Sequence, residues 1–148
     1  MSLQAFNMGC NVLAFNKDGK KYGMVCAWAT QVDYDKIALL VGGQSVTGKV
    51  IKLDSFVGVS ALSEGQEDIA HKLGENHSDE GNKFEGIECE EFESAVYVKG
   101  AKVKMLCQVQ KIMNLTNSED KFIILQVLKH SSCKSKKFLP LNAVYPEE

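Results

Sequence analysis

Residues 11–30 read NVLAFNKDGKKYGMVCAWAT, two apolar runs on either side of an Asp-Gly pair. Such a pair between β-forming runs is a strong hairpin signal, because both residues tolerate the positive φ angles that the favoured two-residue turn requires. We therefore predict strands at 11–15 and 22–30, joined by a turn at 17–20.

Further segments along the chain have the length and composition of strands. Residues 37–41 form a short apolar run that ends in two glycines, which is typical of a buried strand. Apolar and polar residues alternate over 103–109, as expected for a strand with one buried face. Segments 56–62 and 122–128 complete the predicted strands.

Two short helices are predicted between the strands. Val46, Val50, Ile51 and Leu53 fall on one helical face, so we expect the first helix to begin near 45–47. A capping box at 63–66 predicts the start of a second helix, which would bury Ile69, Ala70 and Leu73 and stop at Gly74. Many strands, few helices and no regular βαβ alternation favour a mainly β (α+β) barrel.

Composition limits the classes of function. The 148 residues suit one domain, 1–148, and the 45% hydrophobic and 24% charged fractions are ordinary for a globular chain. A net charge of −2 gives no reason to expect nucleic acid or a membrane surface as partner. No signal peptide or membrane span is evident, so we expect a cytoplasmic protein with reduced thiols. The five cysteines and three histidines are not spaced for a metal site, so none is predicted.

The segment GGQSVTGK, residues 42–49, joins the 37–41 strand to the first predicted helix. Its glycines permit a close backbone approach, and Ser45 and Thr47 add hydroxyls near a helix N-terminus, where anions are favoured. The segment therefore has the chemistry of a phosphate cradle. An ordinary N-cap, in which Ser or Thr satisfies the first helical turn, explains the same residues equally well.

The same loop partly matches a P-loop, with Gly43, Gly48 and Lys49 at the required spacing. Val50 stands where the magnesium-binding hydroxyl belongs, and no apolar strand ending in Asp follows. The match is therefore interpreted as accidental.

The predicted strand at 23–30 is small and apolar apart from Trp28 and Thr30. Small residues would let a flat ring lie against the strand, although a tightly packed core strand has the same composition. Together the two segments, with others further along, resemble the flavin reductase-like family, whose domain is an FMN-binding split β-barrel of Greek-key type. The matching segments are 23–30 (GMVCAWAT), 43–49 (GQSVTGK), 56–62 (FVGVSAL), 66–70 (QEDIA) and 82–84 (NKF).

The resemblance implies a role for individual residues. One strand would border the isoalloxazine ring of FMN, the loop would hold its phosphate, and a basic residue would come near the flavin, sometimes across a dimer interface. The implied contacts are Cys26, Ala27, Trp28, Ala29 and Thr30 at the ring, Gln44, Ser45 and Thr47 at the phosphate, and Lys83 as the basic residue.

The sequence departs from the family pattern at both ends of the implied site. Val25 and Ala27 occupy positions where many members have Thr and then Ser or Asn, so ring contacts would depend more on backbone groups. Gln44 and Lys49 stand in the loop where an Arg is common, which leaves less charge compensation for a phosphate.

The implied function is an NAD(P)H-dependent flavin reductase, working as a homodimer with a small-molecule electron donor and acceptor. An FMN-containing electron carrier without NAD(P)H activity would have the same sequence features. A flavin-free binding module of this fold, or a small interaction domain without cofactor, also stays open. No acid–base residue is required by flavin chemistry, and no catalytic residue is predicted.

Overall fold

The computed structural model describes residues 3, 5–42, 45–75, 83–115 and 117–146. Within these ranges the chain forms antiparallel strands with three short helices interspersed. In chain order the elements are β1 (Asn11–Lys17), β2 (Lys20–Cys26), β3 (Ala29–Asp33), β4 (Lys36–Val41), α1 (Val46–Val50), β5 (Phe56–Ala61), α2 (Glu67–Glu75), β6 (Cys89–Phe92), β7 (Ala95–Val98), β8 (Val103–Asn114), β9 (Lys121–Ser132) and α3 (Leu141–Val144).

The strands are hydrogen-bonded in the order β3-β4-β9-β8-β5-β1-β7-β6, and β2 pairs with β1. All of these pairings are antiparallel. β1 contacts β2 along its whole length and is shared on its other side by β5 and β7. The mainly β split-barrel architecture that the sequence predicts is thus confirmed.

β1 is buried on both faces and separates two apolar cores. Its alternate residues point to opposite faces because side chains in a strand have a period of two. Leu13 and Phe15 join the barrel core, whereas Val12 and Ala14 join a second core closed by α2 and α3. This double burial explains why the run at 12–15 is continuously apolar.

The turn between β1 and β2 has the geometry predicted from its Asp-Gly pair. Asp18 has a φ of 53° and Gly19 a φ of 78°, and Lys17 faces Lys20 across the hairpin. Two consecutive positive φ angles match the right-handed twist of the flanking strands. The first hairpin is therefore determined locally.

The predicted strand at 22–30 is wrong in one respect: the chain divides at residues 27–28 into β2 and β3. Cys26, the last residue of β2, pairs with Asn11 of β1, whereas Ala29, the first residue of β3, pairs with Leu39 of β4. The composition is continuous across the break, but the pairing partner changes. The break is therefore a consequence of sheet topology.

The second helix also begins later than predicted, at Glu67. The Gln66 side chain accepts a hydrogen bond from the Ser63 backbone N–H at 3.0 Å, so half of the capping box forms. The Ser63 hydroxyl, however, donates to the Gly100 carbonyl at 2.9 Å, which takes it away from the helix. Ala70 and Leu73 are buried as expected, and the helix continues one residue past Gly74.

Other differences are small or arise from weak local signals. α1 ends at Val50, and Leu53 is 55% exposed, so it does not share the buried helical face predicted for it. The β6–β7 hairpin and α3 were not predicted. β6 is acidic and largely exposed, and its turn uses Glu93 at a φ of 53°, where Gly or Asn would have been a clearer signal.

Candidate functional site

A groove of about 910 Å³ lies on the outer face of the sheet beside β3 and β4. Its size falls within the range of about 300–1,000 Å³ that is typical of small-molecule and cofactor sites. The lining is mostly apolar and joins the β2–β3 connection to the N-terminal segment and to one residue of β9. The lining residues are Leu3, Ala5, Phe6, Asn7, Met8, Ala27, Trp28, Ala29, Thr30, Ala38, Leu40 and Phe122.

Four of the five residues predicted to contact a flat ring therefore line one groove. Ala27, Ala29 and Ala38 have short side chains that leave one wall low and flat, and Trp28 is 63% exposed. The Trp28 carbonyl accepts a hydrogen bond from the Leu40 N–H at 2.9 Å, and the Ala29 N–H bonds back to the Ala27 carbonyl at 3.1 Å. These two backbone hydrogen bonds therefore fix the start of β3, which forms the wall of the groove.

The fifth predicted residue, Cys26, occupies a different position. Its side chain is 3% exposed and belongs to the barrel core, behind the groove wall. Burial raises the pKa of the thiol to about 11, so the thiol is protonated at neutral pH. The thiol donates toward the carbonyls of Leu40, at 3.1 Å, and Trp28, at 3.3 Å.

Ser45 is the N-cap of α1, and its hydroxyl is engaged within the loop. Ser45 Oγ accepts from the Gly48 N–H at 2.9 Å and donates to the Gly42 carbonyl at 2.8 Å, with Met24 Sδ at 3.6 Å. The N-cap interpretation is therefore confirmed. The hydroxyl has a single proton, which it donates to the Gly42 carbonyl, so an anion would have to compete with Gly42 for it.

The remaining residues of the loop differ in accessibility. Thr47 is 1% exposed and lies within α1, so its side chain is covered in this conformation. Gly48 packs closely, since a Cβ there would lie 2.5 Å from the Gly42 carbonyl oxygen. Gln44, the third residue predicted at the phosphate, lies outside the described residues.

A lysine from β9 reaches the same loop and was not predicted. Lys121 pairs with Val41 at the end of β4, and its Nζ donates to the Gly48 carbonyl at 2.9 Å. The chain has 17 lysines and no arginine, so a permanently charged guanidinium is not available to a ligand. A Cβ on Gly42 would lie 3.9 Å from Asp120 Oδ1, which places a carboxylate near the start of the loop.

Lys83 lies away from the groove of its own chain. It is 8% exposed, and its Nζ donates to the Leu73 carbonyl near the end of α2 at 3.0 Å. Its predicted position near a flavin, across a subunit interface, stays a prediction.

Sequence reasoning missed the part of the groove that comes from β4, β9 and the N-terminal segment. Ala38 faces Ile124 of β9, and Leu40 faces Phe122, which places these residues on the outer face of the sheet. The only local signal was the apolar character of 37–41 and 122–128, which does not tell which face is covered. The register between distant strands supplies that information.

In the part of the chain that the structure describes, neither a group of metal-ligating side chains nor a membrane-spanning helix is found. Among the described residues, no group of three or more His, Cys, Asp or Glu side chains could hold a metal ion. No helix within the described ranges has both the length and the apolar character needed to cross a membrane.

An antiparallel split barrel with a cofactor-sized groove beside a glycine-rich loop defines a class of ligand-binding barrels, and the comparisons with known proteins narrow this class. The family model described as "Flavin reductase like domain" matches residues 3–142. The chain belongs to the flavin reductase-like family. No curated protein sequence matches it.

Solved structures agree on the fold. The NADH:FAD oxidoreductase SgcE6 of Streptomyces globisporus superposes with a TM-score of 0.80 at 18% identity, covering 90% of this chain and 80% of its own. Flavoredoxin from Methanosarcina acetivorans gives 0.78 at 18% identity, with coverage of 89% and 72%. The FMN-binding protein from Thermus thermophilus gives 0.77 at 12% identity, with coverage of 87% and 72%. Family membership implies a flavin, FMN or FAD, as cofactor or substrate.

Proposed function

We propose that this protein binds FMN in the groove beside β3 and acts as an NAD(P)H-dependent flavin reductase. The observation that carries the proposal is the convergence of Ala27, Trp28, Ala29 and Thr30 on one apolar groove of about 910 Å³. These are residues that the family resemblance assigns to the isoalloxazine ring. β4 leads from the groove, which Leu40 lines, to Gly42 at the start of the loop that the same resemblance assigns to the phosphate.

The residues present fit a flat aromatic ligand. Ala27, Ala29 and Ala38 allow a ring to approach the backbone closely, and Trp28 and Phe122 offer aromatic walls. β3 is the edge strand of the sheet, so it has one side not paired to another described strand. Edge-strand N–H and C=O groups can bond the polar rim of a ring, which compensates for the missing side-chain hydroxyls at Val25 and Ala27.

The phosphate contact depends chiefly on Ser45 in this proposal. Its hydroxyl would turn from the Gly42 carbonyl to the phosphate, while Gly48 keeps its bond to the same oxygen. Thr47 would contribute only after the loop opens, because its side chain is buried. Lys121 supplies the nearest described cation on β9 and offsets the Asp120 carboxylate.

Bound flavin would supply hydride and electron transfer between NADH or NADPH and a small-molecule acceptor. The protein's own residues bind and orient it. The apolar lining would keep water away from a bound ring. The hydrogen bond between the Leu40 N–H and the Trp28 carbonyl fixes one wall of the groove. Within the described chain, no side chain has been assigned a proton-transfer role.

A second copy of the chain is proposed to cover the open side of the groove. Phe6 and Trp28 line the groove and are 85% and 63% exposed, and Tyr34 at the end of β3 is 99% exposed. Large aromatic side chains in such positions are enriched at subunit interfaces. Light scattering coupled to gel filtration would give the mass of a dimer, and a monomer mass at micromolar concentration would contradict this part.

The decisive experiment is a titration of FMN into purified protein, followed by absorbance and flavin fluorescence. Binding should perturb the flavin spectrum and quench the emission of Trp28, which is the only tryptophan of the chain. Absence of both effects at micromolar concentrations would reject FMN binding. FMN-dependent oxidation of NADH or NADPH would then distinguish a reductase from an electron carrier, which would bind FMN without oxidising either nucleotide.

A further inference from the structure

The connection between β2 and β3 is stabilised by an unusual arrangement around Cys26. The Leu40 N–H donates to the Trp28 carbonyl at 2.9 Å, which is one half of an antiparallel backbone pair. In a complete pair the Trp28 N–H would donate back to the Leu40 carbonyl. No such return bond exists between these two described residues, and the chain instead makes a tight turn over 27–29, closed by the Ala29 N–H and the Ala27 carbonyl at 3.1 Å.

The Cys26 thiol takes the place of the missing donor. Cys26 Sγ lies 3.1 Å from the Leu40 carbonyl oxygen and 3.3 Å from that of Trp28. The single thiol proton is therefore shared between two carbonyls, one from Trp28 in the break between β2 and β3 and one from Leu40 in β4. The thiol is 3% exposed, so water cannot readily replace it.

The backbone of Cys26 is also fixed. The Asn11 side-chain amide donates to the Cys26 carbonyl at 3.0 Å, and Cys26 pairs with Asn11 in the β1–β2 ladder. Cys26 is thus bonded to β1 through its carbonyl and to β4 through its thiol, and both bonds hold the chain where it enters the groove wall. A pKa of about 11, raised by burial, keeps the thiol protonated as a donor over the neutral range.

We infer that Cys26 is a positioning residue for the groove. Its thiol completes the Trp28–Leu40 pair and thereby holds Trp28 in the groove wall, beside the place where the ring of the ligand would lie. This inference rests on the proposed function only for the identity of the ligand. The position of Trp28 itself does not depend on it. A thiol in this role donates a hydrogen bond and is not expected to take part in redox chemistry.

Three variants separate the hydrogen bond from the volume of the side chain. Cys26→Ser keeps a donor, Cys26→Ala removes the donor and the volume, and Cys26→Val fills the volume without a donor. Cys107→Ala is the matched control, because Cys107 is 0% exposed in the same barrel core and makes no side-chain hydrogen bond among the described residues.

The first readout is the fluorescence anisotropy and acrylamide quenching of Trp28 in the protein without ligand. Cys26→Ala and Cys26→Val should lower the anisotropy and raise the quenching constant, whereas Cys26→Ser and Cys107→Ala should stay close to the wild-type values. The second readout is the dissociation constant for FMN. Loss of one buried hydrogen bond of this kind should weaken binding by about three- to tenfold in Cys26→Ala and Cys26→Val, with recovery in Cys26→Ser.

The two readouts distinguish the possible failures. If the wild type binds no FMN, the proposed function fails, and the Trp28 fluorescence still tests the positioning role. If Cys26→Val matches wild type in both readouts, or Cys107→Ala changes them as much as Cys26→Ala, the positioning role is overturned. If Cys26→Ala fails to fold, the same two readouts on Cys26→Val and Cys26→Ser are enough to test the positioning role.

Discussion

The ring of Phe84 packs directly on the backbone of Gly23 in β2, so closely that a Cβ on Gly23 would lie 2.3 Å from the Cζ atom of the ring. Phe84 is 3% exposed and belongs to the second apolar core, together with residues of α2 and β7. This contact connects the strand that leads to the groove with the core outside the barrel. Its geometry allows only glycine at position 23.

Replacement of Gly23 by Ala should therefore destabilise the fold. The buried ring has little room to move, and overpacking of this kind costs about 1–3 kcal/mol of unfolding free energy. Urea denaturation would measure the loss. Gly9→Ala is the control, because its Cβ would meet only the Leu139 carbonyl oxygen, at 3.6 Å. A second variant, Phe84→Leu, should restore part of the stability of Gly23→Ala, and strict additivity would argue against the contact.

The loop at 42–49, which we propose to hold the phosphate, offers a second test at Gly48. A Cβ there would lie 2.5 Å from the Gly42 carbonyl oxygen and 2.9 Å from Ser45 Oγ, so Gly48→Ala should open the loop. We expect weaker FMN binding, by about tenfold, together with a loss of about 1–3 kcal/mol in stability. Gly42→Ala tests the same loop without collision against the described backbone, since among the described residues its Cβ would meet Asp120 Oδ1, at 3.9 Å. Equal effects of the two substitutions would contradict this account.

The two roles of Ser45 can be separated by its variants. Ser45→Ala, alone or with Thr47→Ala, removes the N-cap and should cost about 1 kcal/mol of stability and weaken FMN binding severalfold. Ser45→Asp keeps an acceptor for the Gly48 N–H but loses the donor to the Gly42 carbonyl, and it places a negative charge beside the phosphate. It should therefore be more stable than Ser45→Ala at the N-cap and should lose FMN affinity.

Riboflavin, which has no phosphate, is the control ligand for these measurements. Calorimetric titration should show that Ser45→Asp weakens FMN binding and leaves riboflavin binding unchanged. If both ligands lose affinity equally, Ser45 acts only as a helix cap and the phosphate lies elsewhere.

Stability should decrease at alkaline pH because of buried thiols. Burial raises the pKa of Cys107 from 9.0 to about 12. Below pH 9 the thiol is protonated in both states, so its contribution to stability is complete. Between about pH 9 and 12 the unfolded state has lost the proton and the folded state keeps it, so unfolding becomes more favourable as pH rises.

The slope of unfolding free energy against pH is the quantity to measure here. Cys107→Ala should be less stable near neutrality but show a shallower decline above pH 9, since one of the titrating thiols is absent. Groups that do not interact with Cys107 cancel in the comparison, whereas Tyr97 does not, because burial and then the Cys107 thiolate raise its pKa. Parallel slopes for the two proteins would show that the thiol does not contribute.

The ends and faces of the strands followed from the sequence where the signal is local. The Asp18-Gly19 pair specified the first hairpin, because the φ angles of two neighbouring residues suffice to fix the turn. Alternation over 103–109 placed Cys107 and Val109 in the buried core. The loop at 42–49 was found because its glycines and hydroxyls are adjacent in the chain.

The break at residues 27–28 could not be predicted from the same kind of information. It arises because Cys26 pairs with β1 and Ala29 with β4, a change of partner that leaves no mark in the local composition. The β6–β7 hairpin was missed because its local sequence indicates a loop: β6 is acidic and exposed, and Glu93 stands in its turn.

The sequence by itself therefore determined the mainly β class, the first hairpin, the position of the glycine-rich loop and the family resemblance, all of which depend on residues close together in the chain. Only the tertiary structure decided which side chains form the groove. Register across β4 and β9 brings Leu40 and Phe122 to it and brings Lys121 to the loop. The same packing directs the Cys26 thiol into the barrel core behind Trp28. There the thiol donates to the Leu40 carbonyl, which receives no hydrogen bond from the Trp28 N–H because the strand is broken at 27–28.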